Sequence, residues 1–282
     1  MLSRIFSTFL LWGVILGSLW FFGPHAAVLI LTVLAVLTLH EFFLLAEKMG
    51  FRPFRWMAFF FSVLITAGPF YLSIFFFDQD EYDAFSPVIL AFAIAASCVR
   101  VLGERDTTSR VESLIATVIG LVYVPFMLQF LVRLMLLYPE PGVGLVVSLW
   151  VVAVSKFCDV GALLSGMAFG KHKMAPNISP KKTWEGAVGG VAISVGMGAT
   201  IAWAVPGWLP ENFTPLIAGL AALPLAVITI VSDLIESAMK RRAGMKDTGK
   251  VIPGIGGAFD LTDSLILTAP VAYAIFFFLD WL

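Results

Sequence analysis

Apolar residues in this chain come in long unbroken runs, where a soluble helix would show one apolar stripe. A helix needs about 20 apolar residues to cross roughly 30 Å of hydrocarbon. Runs near 5–22, 26–46, 56–77, 85–101, 112–137, 143–166, 187–206, 215–238 and 264–281 meet or approach that length. They predict nine spans, or eight if the short first run, followed at once by Gly23-Pro24, does not cross by itself. Backbone polar groups in lipid must be satisfied within the segment, so such runs read as helices. The expected fold class is an all-α polytopic integral membrane protein with about nine transmembrane helices. Ser3-Arg4 before the first run has the outline of a secretory signal. No small-x-small cleavage site precedes the next run, so the segment is read as a retained span.

Composition supports the hydropathy pattern: of 282 residues, 60% are hydrophobic and 13% charged. Soluble domains run about half apolar and about a quarter charged. The net charge of −1 says little about partners, but its distribution says a great deal. Counted from an inside N-terminus, inner segments hold 16 of the 18 Lys and Arg residues, from Arg4 through Lys250. Arg133 and Lys156 fall within spans. Outer segments carry Asp78, Asp80, Glu81, Asp83, Glu140, Glu211 and Asp280, with no Lys or Arg. The positive-inside rule then places the N-terminus in the cytoplasm.

The longest non-apolar stretches, 167–186 and 239–263, become cytoplasmic loops of a C-terminal transmembrane region, 141–282, and any chemistry is expected there; residues 1–140 supply N-terminal transmembrane helices. There is no internal repeat and no low-complexity tract. Cys98 and Cys158 sit in or beside apolar runs and read as small buried hydrophobes, with no disulfide framework or zinc site.

The stretch 237–264, SAMKRRAGMKDTGKVIPGIGGAFDLTDS, departs most from the apolar background. Lys240, Arg241 and Arg242 extend a span into an electropositive mouth, and Lys246-Asp247 follow a glycine. Gly254, Gly256 and Gly257 allow a ligand close to the backbone. Asp260 and Asp263 lie one turn apart and can face one cavity. Carboxylates together with phosphate oxygens are how Mg²⁺ is usually held. A stop-transfer cluster would explain the arginines, but not glycines and aspartates entering an apolar helix.

The other loop, MAFGKHKMAPNISPKKTWEG, places Lys181 and Lys182 before a helix expected to open at Thr183. Free N–H groups at a helix start plus a flanking lysine make an anion site. The Gly-x-x-x-x-Gly-Lys-Ser/Thr of an NTPase P-loop is absent. Lys171 and Lys173 read as membrane anchors, and His172 as part of a solvated face. Within spans, Lys156 and Asp159 share a helix face, as do Asp233 and Glu236. Ionisable residues at that depth mark function by default, although a mutual ion pair lining a bundle needs no chemistry. His40-Glu41, with no second histidine at helical spacing, gives no zincin motif and reads as structural.

Ser237-Ala238-Met239-Lys240-Arg241, Lys246-Asp247, Pro253-Gly254, Gly256-Gly257, Asp260 and Asp263-Ser264 together resemble the signature of the phosphatidate cytidylyltransferases (CDP-diacylglycerol synthases). Asp159-x-Gly161-Ala162, Phe169-Gly170-Lys171-His172-Lys173, Ala175-Pro176 and Ser179-Pro180-x-Lys182-Thr183-Trp184-Glu185-Gly186 resemble the same family. The resemblance covers about 157–270. Ile255 stands where the family usually has His, Leu261 where it has Arg, Ser232 where a glycine is common, and Leu163 where a tyrosine is frequent.

The resemblance implies transfer of the cytidylyl group of CTP to phosphatidic acid, giving CDP-diacylglycerol and pyrophosphate for phospholipid biosynthesis. It implies Mg²⁺ as cofactor, with a second cation left open, on Asp233, Asp260 and Asp263, with Asp159 a weaker candidate. Catalytic roles fall to Asp233, Asp260, Asp263 and Lys182. Substrate contacts fall to Lys181, Lys182, Thr183, Lys240, Arg241, Lys246, Asp247, Gly256 and Gly257. Expected partners are CTP, phosphatidic acid, membrane lipids and a second copy in a homodimer, with no nucleic acid. The expected location is the inner membrane of a bacterium, with the site facing the cytoplasm. A CTP-dependent polyprenol kinase, an inactive homologue and a membrane transporter stand as alternatives.

Overall fold

The structure is a computed structural model, and it describes residues 13, 15–75, 85–103, 110–245, 248–249 and 256–279. Among these, eight helices are long and apolar enough to cross a membrane. The protein is all-α and polytopic, as its apolar runs require. Of the first expected span, only 13 and 15–22 are described, and they are helical.

Two compact units divide the chain: Met1–Arg133 with Arg242–Thr262, and Leu134–Arg241 with Asp263–Leu282. The first holds α1 (Pro24–Lys48), α2 (Arg55–Phe75), α3 (Phe85–Leu102) and α4 (Arg110–Leu121). A π-helical turn, Val122–Phe126, joins α4 to α5 (Met127–Leu136). Pro125 inside that turn has no N–H to donate, which accounts for the local break in the ladder. Phe42, Tyr123 and Phe259 cluster in this unit, with ring centroids 6.0–6.4 Å apart. Buried polar groups pair with each other: Thr38 with Thr262 at 2.9 Å, and Ser86 with Gln129 at 3.2 Å.

The second unit is built on α6 (Pro141–Phe169), α7 (Trp184–Ala204) and α8 (Pro215–Arg242). α9 (Ala258–Ile266) starts in the first unit and ends in the second, followed by α10 (Thr268–Leu279). The buried face of α7 repeats every fourth residue: Gly186, Gly190, Ser194, Gly198 and Ala202. Small residues at this spacing let two helix backbones approach closely. A Cβ on Gly190 would stand 2.8 Å from the Cys158 carbonyl oxygen of α6. Hydrogen bonds cross the same seam, from Ser194 Oγ to the Val154 carbonyl (2.8 Å) and from Trp150 Nε1 to the Gly198 carbonyl (3.0 Å). Trp150, Phe213 and Phe276 close one end of this core edge-to-face.

The loop between α6 and α7 contains an element that hydropathy did not predict. Lys173–Ala175 (β1) and Ser179–Thr183 (β2) form a two-stranded antiparallel hairpin. Cys158 is buried as expected, but Cys98 lies on an exposed face of α3, so the expectation of burial fails there. An outward cysteine on an apolar helix meets no desolvation penalty.

Candidate functional site

The hairpin delivers its lysines directly to a helix start. Thr183 ends β2 and caps α7, its Oγ1 accepting a hydrogen bond from the Gly186 N–H at 3.1 Å. A hydroxyl at that position satisfies one of the donors a helix leaves unpaired at its start. The helix begins at Trp184, one residue after the expected opening. Glu185 in the first turn accepts from the Lys171 and His172 backbone N–H groups at 3.1 Å each, and its Oε1 lies 2.5 Å from His172 Nδ1. His172 thus fastens the loop to α7, with its side chain largely exposed.

Behind the hairpin lies a cavity of about 490 Å³ between α6, β2, α7 and α8. Its charged lining is Asp159, Lys173, Lys181, Lys182 and Asp233, and Thr183 joins them. Its apolar lining includes Leu163 and Met167, which are 61% and 68% exposed on the outer face of α6. One cavity therefore joins charged side chains to exposed apolar ones.

Every carboxylate deep in this unit has an ammonium partner. Lys182 Nζ lies 2.5 Å from Asp233 Oδ2, and Lys240 Nζ 2.5 Å from the buried Glu236. Lys156 reaches Asp159 at 3.5 Å, Asp263 at 3.8 Å and Ser264 Oγ at 2.6 Å. Sharing Lys156 between two aspartates leaves one carboxylate in excess among these residues. Asp233, Glu236 and Asp263 each present an oxygen within 4.8 Å of the others. Ser232 Oγ donates to the Asp263 backbone carbonyl, tying α8 to the third of these residues. The serine at this position thus has a job a glycine would leave undone.

Asp260 is held differently. Its Oδ2 accepts from the Gly257 N–H at 2.8 Å, which caps the start of α9, and lies 3.3 Å from Thr248 Oγ1. Glu41, from α1, caps the same helix start from outside. Its carboxylate is buried and accepts from the N–H groups of Ala258 (3.0 Å) and Phe259 (2.9 Å) and from Thr248 Oγ1 (2.9 Å). A carboxylate there also opposes the positive end of the helix dipole. Gly256 has φ +130°, a conformation that side chains avoid, and a Cβ there would stand 2.7 Å from Asp260 Oδ2. A Cβ on Gly257 would collide with the Glu41 carboxylate. The close approach that these glycines allow is thus made, within the first unit, by two carboxylates.

The sequence-predicted residues fall into three groups. Asp159, Lys181, Lys182, Thr183 and Asp233 line one cavity, and Asp233 and Asp263 share the three-carboxylate cluster. Lys240 lies beside that cluster through Glu236, while Arg241 Nε donates to the Ile178 carbonyl in the hairpin turn at 3.2 Å. Asp260, Gly256 and Gly257 belong to the capped glycine loop. Lys246 and Asp247 lie outside the described residues. Glu236 is the member of the cluster that the site expectation left out; its position one turn after Asp233 was the available signal.

Fold and site together define a polytopic helical membrane protein whose span-embedded lysines and carboxylates converge on a cavity with an apolar side. The chain belongs to the cytidylyltransferase family, whose family model matches residues 2–279. A phosphatidate cytidylyltransferase of Mycobacterium bovis is 39% identical over 160 residues, covering 57% of this chain and 49% of that protein. One from Rickettsia bellii is 35% identical over 172 residues, covering 58% of this chain and 70% of that protein. One from Synechocystis is 39% identical over 130 residues, covering 46% and 43%. The chain spans about half the length of the mycobacterial relatives it matches.

Proposed function

We propose that this chain transfers the cytidylyl group of CTP to phosphatidic acid, in a Mg²⁺-dependent reaction at the cytoplasmic face of the membrane. The observation that carries this reading is the cavity where Lys181, Lys182 and Thr183 meet Asp159 and Asp233 beside the exposed apolar side chains of Leu163 and Met167. A water-soluble polyanion and a lipid phosphate have to meet, and such a cavity offers cations to both and hydrocarbon to one.

Mg²⁺ prefers oxygen ligands at about 2.0–2.1 Å, usually one or two carboxylates completed by substrate phosphates and water. The all-oxygen set of Asp233, Glu236 and Asp263, within 4.8 Å of one another, suits that demand, and Asp159 is a further candidate. Bound there, the ion would offset negative charge on the phosphate oxygens and on the departing pyrophosphate. Lys181 and Lys182 would hold the CTP phosphates and Lys240 and Arg241 would complete the positive rim. By family resemblance, Gly256, Gly257 and Asp260, with Lys246 and Asp247 outside the described residues, are proposed as further substrate contacts.

A phosphate oxygen of phosphatidic acid then attacks the α-phosphorus of CTP, and the bond to the β-phosphate oxygen breaks. The lipid phosphate is already ionised near neutral pH, so the chain need supply no general base. Its contribution is positioning and charge stabilisation. Family resemblance is also the ground for proposing a homodimer, which light scattering of the purified protein in detergent would test.

Product analysis separates this reading from kinase action. With CTP, Mg²⁺ and phosphatidic acid, the purified protein should release pyrophosphate in step with CTP loss. Release of CDP would instead show transfer of the γ-phosphate.

A further inference from the structure

A second charged cavity lies in the first unit, on residues that take no part in the proposed reaction. Its volume is about 590 Å³, and its lining includes Arg52, Phe54, Arg55, Trp56, Arg100 and Ser113. Three segments contribute: the turn from α1 into α2, the last turn of α3, and the first turn of α4. None of the described residues lining it is acidic.

The groups around it are arranged for an anion. Arg100 stacks its guanidinium over Phe54, 5.8 Å from the ring centroid, which fixes the charge in place. Arg55, on the same lining, is held by its ion pair with Glu47. The cavity also lies over the start of α2, a helix of 21 residues. The N–H groups of Trp56 and Met57 precede the Ala58 N–H to Phe54 carbonyl bond (3.0 Å) and face outward from the helix start.

We propose that this cavity binds a phosphate group, presented in the membrane by an anionic phospholipid headgroup. Guanidinium groups match phosphate oxygens two at a time, and basic recesses between spans recognise such headgroups. Trp56 favours the lipid over a soluble source: it is 86% exposed beside the arginines, as an aromatic at a membrane–water boundary would be.

The test uses the full chain, purified in neutral detergent, with its thermal unfolding followed as lipid is added. Phosphatidylglycerol, a phosphodiester unlike the monoester substrate, should raise the midpoint, whereas phosphatidylcholine should not. In the double variant Arg52→Gln/Arg100→Gln, about 30-fold more phosphatidylglycerol should be needed for the same shift, at about 1 kcal/mol per arginine. Native mass spectrometry, counting phosphatidylglycerol retained per chain, serves where the variant starts less stable; the count should fall. If inorganic phosphate gives the same shift, lost in the same variant, the phosphate site stands and its source is soluble. Equal response and equal retention in wild type and variant, or no response to phosphatidylglycerol in either, would overturn the proposal.

Discussion

Lys182 answers Asp233 at 2.5 Å, so the residue proposed to grip substrate phosphate also balances a carboxylate of the proposed metal cluster. Removing it disturbs both. Lys182→Ala is expected to lower kcat/KM for CTP by about 10²-fold, the effect of losing one well-placed charge-stabilising donor. Lys182→Arg should recover part of it, and steady-state kinetics with varied CTP checks both. Asp263→Asn removes one carboxylate while Lys156 keeps Asp159 and Ser264 as partners. Turnover should fall at least about 10²-fold with the unfolding midpoint little changed; wild-type turnover would remove Asp263 from the metal assignment. Asp159, Asp233, Asp263 and Lys182 were legible because an ionisable group in or beside an apolar run demands a reason. Glu41 was legible only as structural. A single chain gives no sign that residue 41 meets the backbone of residues 258 and 259, more than 200 positions on.

The helices follow from hydropathy because lipid leaves the backbone no other partner, and their ends differ from expectation by a few residues. The last span is the exception: it starts at Ala258 and not at 264, because Glu41 and Asp260 cap polar residues into a helix that apolar counting alone would exclude. The hairpin was missed for a related reason. β1 has three residues, β2 carries Pro180, Lys181 and Lys182, and neither alternates apolar with polar. What supports it comes from outside the loop: Arg241 on α8 holds the Ile178 carbonyl, and Glu185 on α7 holds the backbone at 171–172. Two predictions belong to this scale. Glu41→Gln loses a charged acceptor of three hydrogen bonds and should cost about 1–3 kcal/mol of stability, read from thermal unfolding in detergent. Gly190→Val overfills the seam between α6 and α7 and should cost a similar ~1–3 kcal/mol, with hydrogen exchange in α7 rising.

At the scale of the molecule, the distribution of charge along the sequence predicts the arrangement in the membrane. Basic segments gather on alternate loops, so the hairpin and the glycine loop are expected on the cytoplasmic side, facing CTP. With Cys98 and Cys158 replaced, a cysteine at Lys173 should react with an impermeant maleimide only from the cytoplasmic side of vesicles. A cysteine at Glu211 should react only from the other side, and the reverse pattern would invert the topology. The central claim is narrower: that the acidic cluster supports transfer of a cytidylyl group onto a lipid phosphate. It is tested most directly by giving the purified protein CTP labelled at the α-phosphorus, Mg²⁺ and phosphatidic acid. The account predicts label in the chloroform-soluble lipid for wild type and almost none for Asp263→Asn. Label that stays in water-soluble products with wild type, or reaches the lipid equally well with Asp263→Asn, would contradict it.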